Sequence, residues 1–292
     1  MRHEQSNLES LRLGRFIYRD RGESLRLAGT AKGATSACTQ FVITQERRTP
    51  DELAELSDMF RRLSAWRHPH ALSPLGFGPS PGTGYFLSFP IISGQLLPGA
   101  FKDESLRTVR RLTSILERLA DCLDRGHDAG LLHLSLCPRQ VIVSHSDDRV
   151  GLLDFGLRAR ILSQDSHRSL SLESYRWPYW APEMWSGELP GRAADQYALA
   201  AMAHGLVTGM LPARCHDQDE ARASASTLDA FSWNQVPAPI ARVLRRALAA
   251  APDDRFANCT AFVQALSVAF LATPAKLRSG DGPARANVAQ LE

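Results

Sequence analysis

The chain has 292 residues, 44% hydrophobic and 22% charged, with 20 glycines and 17 prolines, a globular balance that excludes collagen-like, coiled-coil and disordered chains. Its formal charge of +3 is too small to predict a nucleic-acid partner. Its most apolar stretch, Tyr197 to Leu211, falls short of the roughly 18 residues of a membrane span and carries His204, so it reads as a buried helix and no membrane partner is expected.

Residues 1–14 read as an N-terminal extension, polar from Met1 to Leu13 and unlike a signal peptide. Arg15–Asp20, Leu25–Ala28 and the β-favouring run Cys38–Gln45 predict an antiparallel sheet, with Arg21–Ser24 as the first turn. Leu53, Leu56, Met59, Phe60 and Leu63 recur at helical spacing within Asp51–Arg67, with Thr49 as cap and Pro50 at the start. A Gly/Pro turn over Gly76–Gly84 leads into an apolar strand, Tyr85–Ile92.

Beyond Phe101 the pattern becomes helical. Leu106, Val109, Leu112, Leu116, Leu119 and Leu123 line one face of a long helix. Val141–Val143 and Val150–Leu153 flank a polar turn as a hairpin. Ala- and Leu-rich helices run from Asp195 to Leu271, and residues 273–292 read as a loose tail. The expectation is α+β: a small β-rich lobe over 15–92 and a larger helical lobe over 93–272. Five scattered cysteines (Cys38, Cys122, Cys137, Cys215, Cys259) lack C-x-x-C spacing, which predicts neither zinc nor a disulfide framework and fits a reducing cytoplasm. The histidines show no metal constellation; His68 and His70 flank Pro69 in a loop-like segment.

Residues 126–156 read GHDAGLLHLSLCPRQVIVSHSDDRVGLLDFG. With Ala181-Pro182-Glu183, Asp195 and Asp254-Arg255-Phe256 following in order, this resembles the eukaryotic-like Ser/Thr protein kinase superfamily over residues 15–270. The resemblance implies a two-lobed kinase-like fold. It also implies structural roles for His133 and Phe155 in a hydrophobic spine, for Asp195 at the start of the central helix, and for a Glu183–Arg255 pair.

Kinases position ATP and magnesium with a small set of ionised groups, and here the matching positions are degenerate. Thr44 stands where the strand lysine is expected, and Met59 where the helix glutamate is; the adjacent Asp58 is rotated away by about 100°. Ser135 replaces the catalytic-loop aspartate, Cys137 the loop lysine, Gln140 the magnesium-binding asparagine and Leu134 the loop arginine. A neutral hydroxyl is no general base near pH 7, a deficit of about 10²–10⁴ in rate. Gly22 is the one glycine near the expected phosphate-binding turn, and Lys32 the one lysine before residue 100.

Asp154 is the retained candidate magnesium ligand, weighed against a loop aspartate satisfied by local amides. The backbone of Pro90 and Ile92 is placed to meet an adenine-like ring, which Val42 would crowd. The serines and arginines between Asp154 and Glu183, Arg158 and Arg176 among them, read as either a phosphorylatable or partner-binding loop or a solvated surface loop. Trp177, Tyr179, Trp180 and Trp185 read as either core packing or a partner surface.

The resulting expectation is a pseudokinase that regulates or scaffolds a protein partner, an active kinase or its substrate, with weak or no ATP binding. The alternatives are an active ATP·Mg-dependent transferase (a non-standard Ser/Thr protein kinase or a nucleotidyl transferase) and a small-ligand sensor using the old nucleotide cleft.

Overall fold

The computed structural model describes the backbone of residues 11–19, 23–30 and 35–42, and then residues 49–80, 84–90, 92–100, 108–144, 149–162, 174–186, 189–208, 218–225, 227, 233 and 236–273. The small lobe holds a five-stranded antiparallel sheet, in spatial order β1 (Leu11–Arg19), β2 (Glu23–Thr30), β3 (Thr35–Val42), β5 (Gly84–Pro90) and β4 (Gly76–Ser80). Strand β1 thus starts at Leu11, inside the stretch read as an extension.

The segment 76–80 corrects a second expectation. It is not a turn but an edge strand paired in register with β5, from Gly76 opposite Ser88 to Ser80 opposite Gly84. An edge place tolerates Pro79, which has no N–H to give a ladder, while Phe77 is buried beneath the sheet. Helix α1 (Pro50–Ala65) starts at a capping box: the Glu52 N–H donates to Thr49 Oγ1 at 3.3 Å and the Thr49 N–H to Glu52 Oε2 at 2.7 Å.

The large lobe opens with β6 (Gly94–Leu96), which the sequence did not announce, and the short α2 (Leu97–Ala100). Strand β6 pairs with β7 (Val141–Ser144), which pairs with β8 (Val150–Leu152). The helices are α3 (Val109–Asp128), α4 (Leu157–Leu162), α5 (Pro182–Ser186), α6 (Arg192–Thr208), α7 (Gln218–Ala225), α8 (Ala238–Ala247) and α9 (Cys259–Leu271). Helix α6 is buried all round from Ala194 to Gly205, its few polar residues Asp195, Gln196 and His204 included, so it runs through the lobe's centre with α3, α8 and α9 packed about it. Among the described residues no helix is long and apolar enough to cross a membrane.

Candidate functional site

The site lies where α3 ends and the chain loops back into β7. Helix α3 stops because Gly130 takes a left-handed φ of 71° and the Leu131 N–H returns to Gly126 O at 2.9 Å. The next residues cross the mouth of α6 and are held there by one carboxylate. Asp195, fully buried in the first turn of α6, accepts from His127 Nε2 at 2.8 Å, from His133 N at 2.8 Å and from Leu134 N at 2.7 Å. Those bonds fix Leu134 in the left-handed region, φ 55°.

His133 is fully buried, and both ring nitrogens are engaged. Nε2 donates to Leu153 O at 3.0 Å, which assigns the proton, and Nδ1 accepts from Ser135 N at 3.3 Å. Burial pushes its pKa down to about 4, so the ring is neutral at pH 7. The ring lies tilted against Phe155, centroids 5.3 Å apart, and Phe155 meets Trp66 edge-on at 5.1 Å. Gly126 makes room for that ring: a Cβ there would stand 2.4 Å from Phe155 Cζ. The expected spine residues are therefore brought together, with Trp66 added as a partner the sequence reading missed.

Asp154 is also fully buried, in a left-handed conformation with φ 58°. Its Oδ1 accepts the Arg158 N–H at 2.8 Å, fastening the first turn of α4. Gly156 follows with φ 84°; a Cβ there would meet Leu132 O at 2.3 Å and Met59 Cε at 2.5 Å. The thioether of Met59 thus packs onto the turn after Asp154, where the resemblance places a carboxylate. Asp58 points away, exposed and paired with Arg61 at 3.2 Å. A further ion pair, Arg160 with Glu55, ties α4 to α1.

Ser135 is buried and its Oγ makes no hydrogen bond, while its carbonyl accepts from Arg176 Nη1 at 2.5 Å. Gln140 is fully buried, and its carbonyl accepts the Leu153 N–H at 2.8 Å. Pro90 closes β5, opposite Ala37. Ile92 packs its Cδ1 2.6 Å from where a Gly151 Cβ would stand. Gly22, Lys32 and Thr44 lie outside the described residues. Deeper in the large lobe, Arg255 Nη1 and Nη2 each donate to a Glu183 oxygen at 2.8 Å, and both residues are buried.

Arg158 and Arg176 are buried, not solvated as their surface-loop reading had it. Arg176 spends its charge on a loop carbonyl and on Tyr175 OH, to which Nε donates at 2.8 Å. Nothing in their spacing marks these arginines apart from ordinary surface ones; only the fold puts them against the loop. Trp177 and Tyr179 are buried, and Trp185 packs against Trp177 at 6.2 Å and Trp180 at 4.9 Å, which favours core packing over a surface patch.

Among the described residues, Asp124, His127 and Cys259 bring potential ligand atoms within 4.8 Å of one another. Asp124 is already committed: it accepts the backbone N–H groups of Cys259 at 3.0 Å and Thr260 at 2.8 Å, capping α9. Burial, reinforced by Asp124, raises the Cys259 thiol well above its ordinary pKa and keeps it protonated. The cluster is a helix cap.

Among the described residues the turn offers one carboxylate, Asp154, whose Oδ1 fastens α4, and Met59 stands where the resemblance places the lysine-holding glutamate. The loop from His133 to Gln140 contains no carboxylate, and its imidazole is spent on the backbone at both nitrogens.

Residues 40–270 match the family described as the protein kinase domain. Serine/threonine-protein kinase PknH of Mycobacterium bovis is 29% identical over 203 residues, covering 66% of this chain and 32% of its own length. Serine/threonine-protein kinase PknF of Mycobacterium tuberculosis is 34% identical over 164 residues, covering 53% of this chain and 34% of its own. The chain thus spans about a third of the length of these curated relatives. The crystal structure of the Mycobacterium tuberculosis PknI kinase domain superposes with a TM-score of 0.66 at 25% identity, over 90% of this chain and 97% of that one. A double mutant of the PknI domain gives 0.63 at 26% identity, over 89% and 96%.

Proposed function

This chain belongs to the protein kinase family, and we propose that within it the chain is a pseudokinase: a kinase fold that regulates or scaffolds a protein partner, an active kinase or its substrate, with little or no nucleotide binding and no phosphoryl transfer. One observation carries the reading. The position that must take a proton from the acceptor hydroxyl is a neutral, buried serine whose carbonyl is occupied by an arginine. The methionine against Gly156 supports it, since a lysine-binding carboxylate has no place there. Loss of both ionic partners is coherent, because a buried charge without its counterion is costly. Among the described residues Cys122, Cys137 and Cys259 are free and buried, which suits a reducing, cytoplasmic setting.

A second reading, an active ATP-dependent kinase or nucleotidyl transferase, is favoured by the retained Asp154 and by relatives named as Ser/Thr kinases. Thermal unfolding with 1 mM Mg·ATP separates the two. A site with Kd near 10 μM would contribute about 2.7 kcal/mol, roughly 5–11 °C for a domain of this size. The pseudokinase reading expects little or no shift, and no transfer of labelled γ- or α-phosphate. A saturable shift together with transfer abolished by Asp154→Ala would establish the enzyme instead. Saturable stabilisation by a different small molecule, without transfer, would point to the sensor.

A further inference from the structure

We propose that Arg176, Tyr175 and Arg139 form a clamp that shuts the degenerate catalytic loop, so that position 135 is sealed from any incoming substrate as well as lacking a base. The loop His133–Gln140 contributes Ser135 and Arg139; the segment Ser174–Tyr179 contributes Tyr175 and Arg176. Two kinds of contact join them. Arg176 Nη1 donates to Ser135 O at 2.5 Å while its Nε donates to Tyr175 OH at 2.8 Å. The Tyr175 ring then carries two guanidiniums, Arg139 at 4.5 Å and Arg176 at 5.0 Å from its centroid.

A charge-assisted hydrogen bond away from water is among the stronger ones a side chain makes, and an arginine held on an aromatic face adds to it. Burial shows the consequence. Arg176 is 1% exposed, Arg139 9% and Ser135 6%, and the Ser135 hydroxyl meets neither solvent nor a hydrogen-bond partner. A substrate hydroxyl reaches that position only if Ser174–Tyr179 lifts away. The inference goes beyond the pseudokinase reading: that reading concerns which groups are present, this one concerns access, and the two fail separately.

The test is thiol accessibility in the full chain. Ser135→Cys places a reporter at the sealed position, and a timed iodoacetamide reaction is read by peptide mass mapping. Cys122 and Cys259, both fully buried, report general opening in the same sample. With the clamp intact, position 135 should react as slowly as those two. Arg176→Gln and Tyr175→Ala should each raise its rate at least tenfold while Cys122 and Cys259 stay protected. The clamp is wrong if position 135 reacts freely from the start, if neither replacement changes its rate, or if in both it rises only in step with Cys122 and Cys259. Phosphate transfer by the unaltered chain with position 135 still protected in Ser135→Cys would overturn the pseudokinase reading alone, whereas a freely reactive position 135 without transfer would overturn the clamp alone.

Discussion

Replacing Arg255 with methionine removes more than a salt bridge. The guanidinium is fully buried and makes five hydrogen bonds: two to Glu183 at 2.8 Å, and one each to Ala193 O at 2.8 Å, Ala249 O at 2.9 Å and Ala250 O at 3.1 Å. Methionine leaves Glu183 as a buried carboxylate without a cation and strips three carbonyls of their donor. Breaking one side of such a pair costs about 3–5 kcal/mol, a large part of the ~5–15 kcal/mol that holds a typical protein folded. The expected fall in Tm is roughly 6–20 °C.

Glu183→Met should also destabilise, since Arg255 then keeps its charge with backbone carbonyls alone. The double variant removes both charges, so it should lose about 1–3 kcal/mol less than the two singles summed. Urea unfolding followed by tryptophan fluorescence gives all four corners of the cycle. A single-variant cost below about 1 kcal/mol, or strict additivity, would refute the claim that this pair ties α5 to the segment before α9.

Three further outcomes follow from the site. His133 has its folded pKa at about 4, below the 6.5 of an unperturbed histidine; its contribution is complete above pH 6.5 and is lost as pH falls toward 4, because only the unfolded chain takes up the proton. That loss approaches ~3 kcal/mol, so unfolding free energies should fall more steeply between pH 6.5 and 4.5 in the wild type than in His133→Asn; equal slopes would contradict the assignment. Asp154→Ala should cost about 1–2 kcal/mol by losing the bond to Arg158 N, whereas Asp154→Asn keeps an acceptor, tolerates the left-handed backbone and should cost less than about 1 kcal/mol in the same urea assay. Gly156→Ala sets a Cβ 2.3 Å from Leu132 O at φ 84°, where backbone cannot yield; thermal melts should show a loss of at least ~2 kcal/mol.

Much of this protein is legible in its sequence. Periodicity placed α1, the core face of α3 and the β7–β8 hairpin because those patterns are local: side chains repeat on one face at the spacing of the element they build. Ordered short motifs carried the family, since the groups that shape the turn after Leu153 and the start of α6 must stand at fixed separations. The proposed loss of ionisable groups at Thr44, Met59 and Ser135 rests on residue type alone, because charge is a property of the residue itself. Strand β4 was obscured by its glycines and Pro79, turn-like locally and accepted only because the strand sits at an edge. Strand β6 has three residues, too few for any pattern, and exists through its pairing with β7. The burial of Arg158 and Arg176 and the indole of Trp66 against Phe155 were decided by tertiary structure alone. Sequence distance hides such contacts: Arg176 lies 41 positions from the carbonyl it holds, and whether an arginine faces water or a loop depends on what the rest of the chain brings beside it.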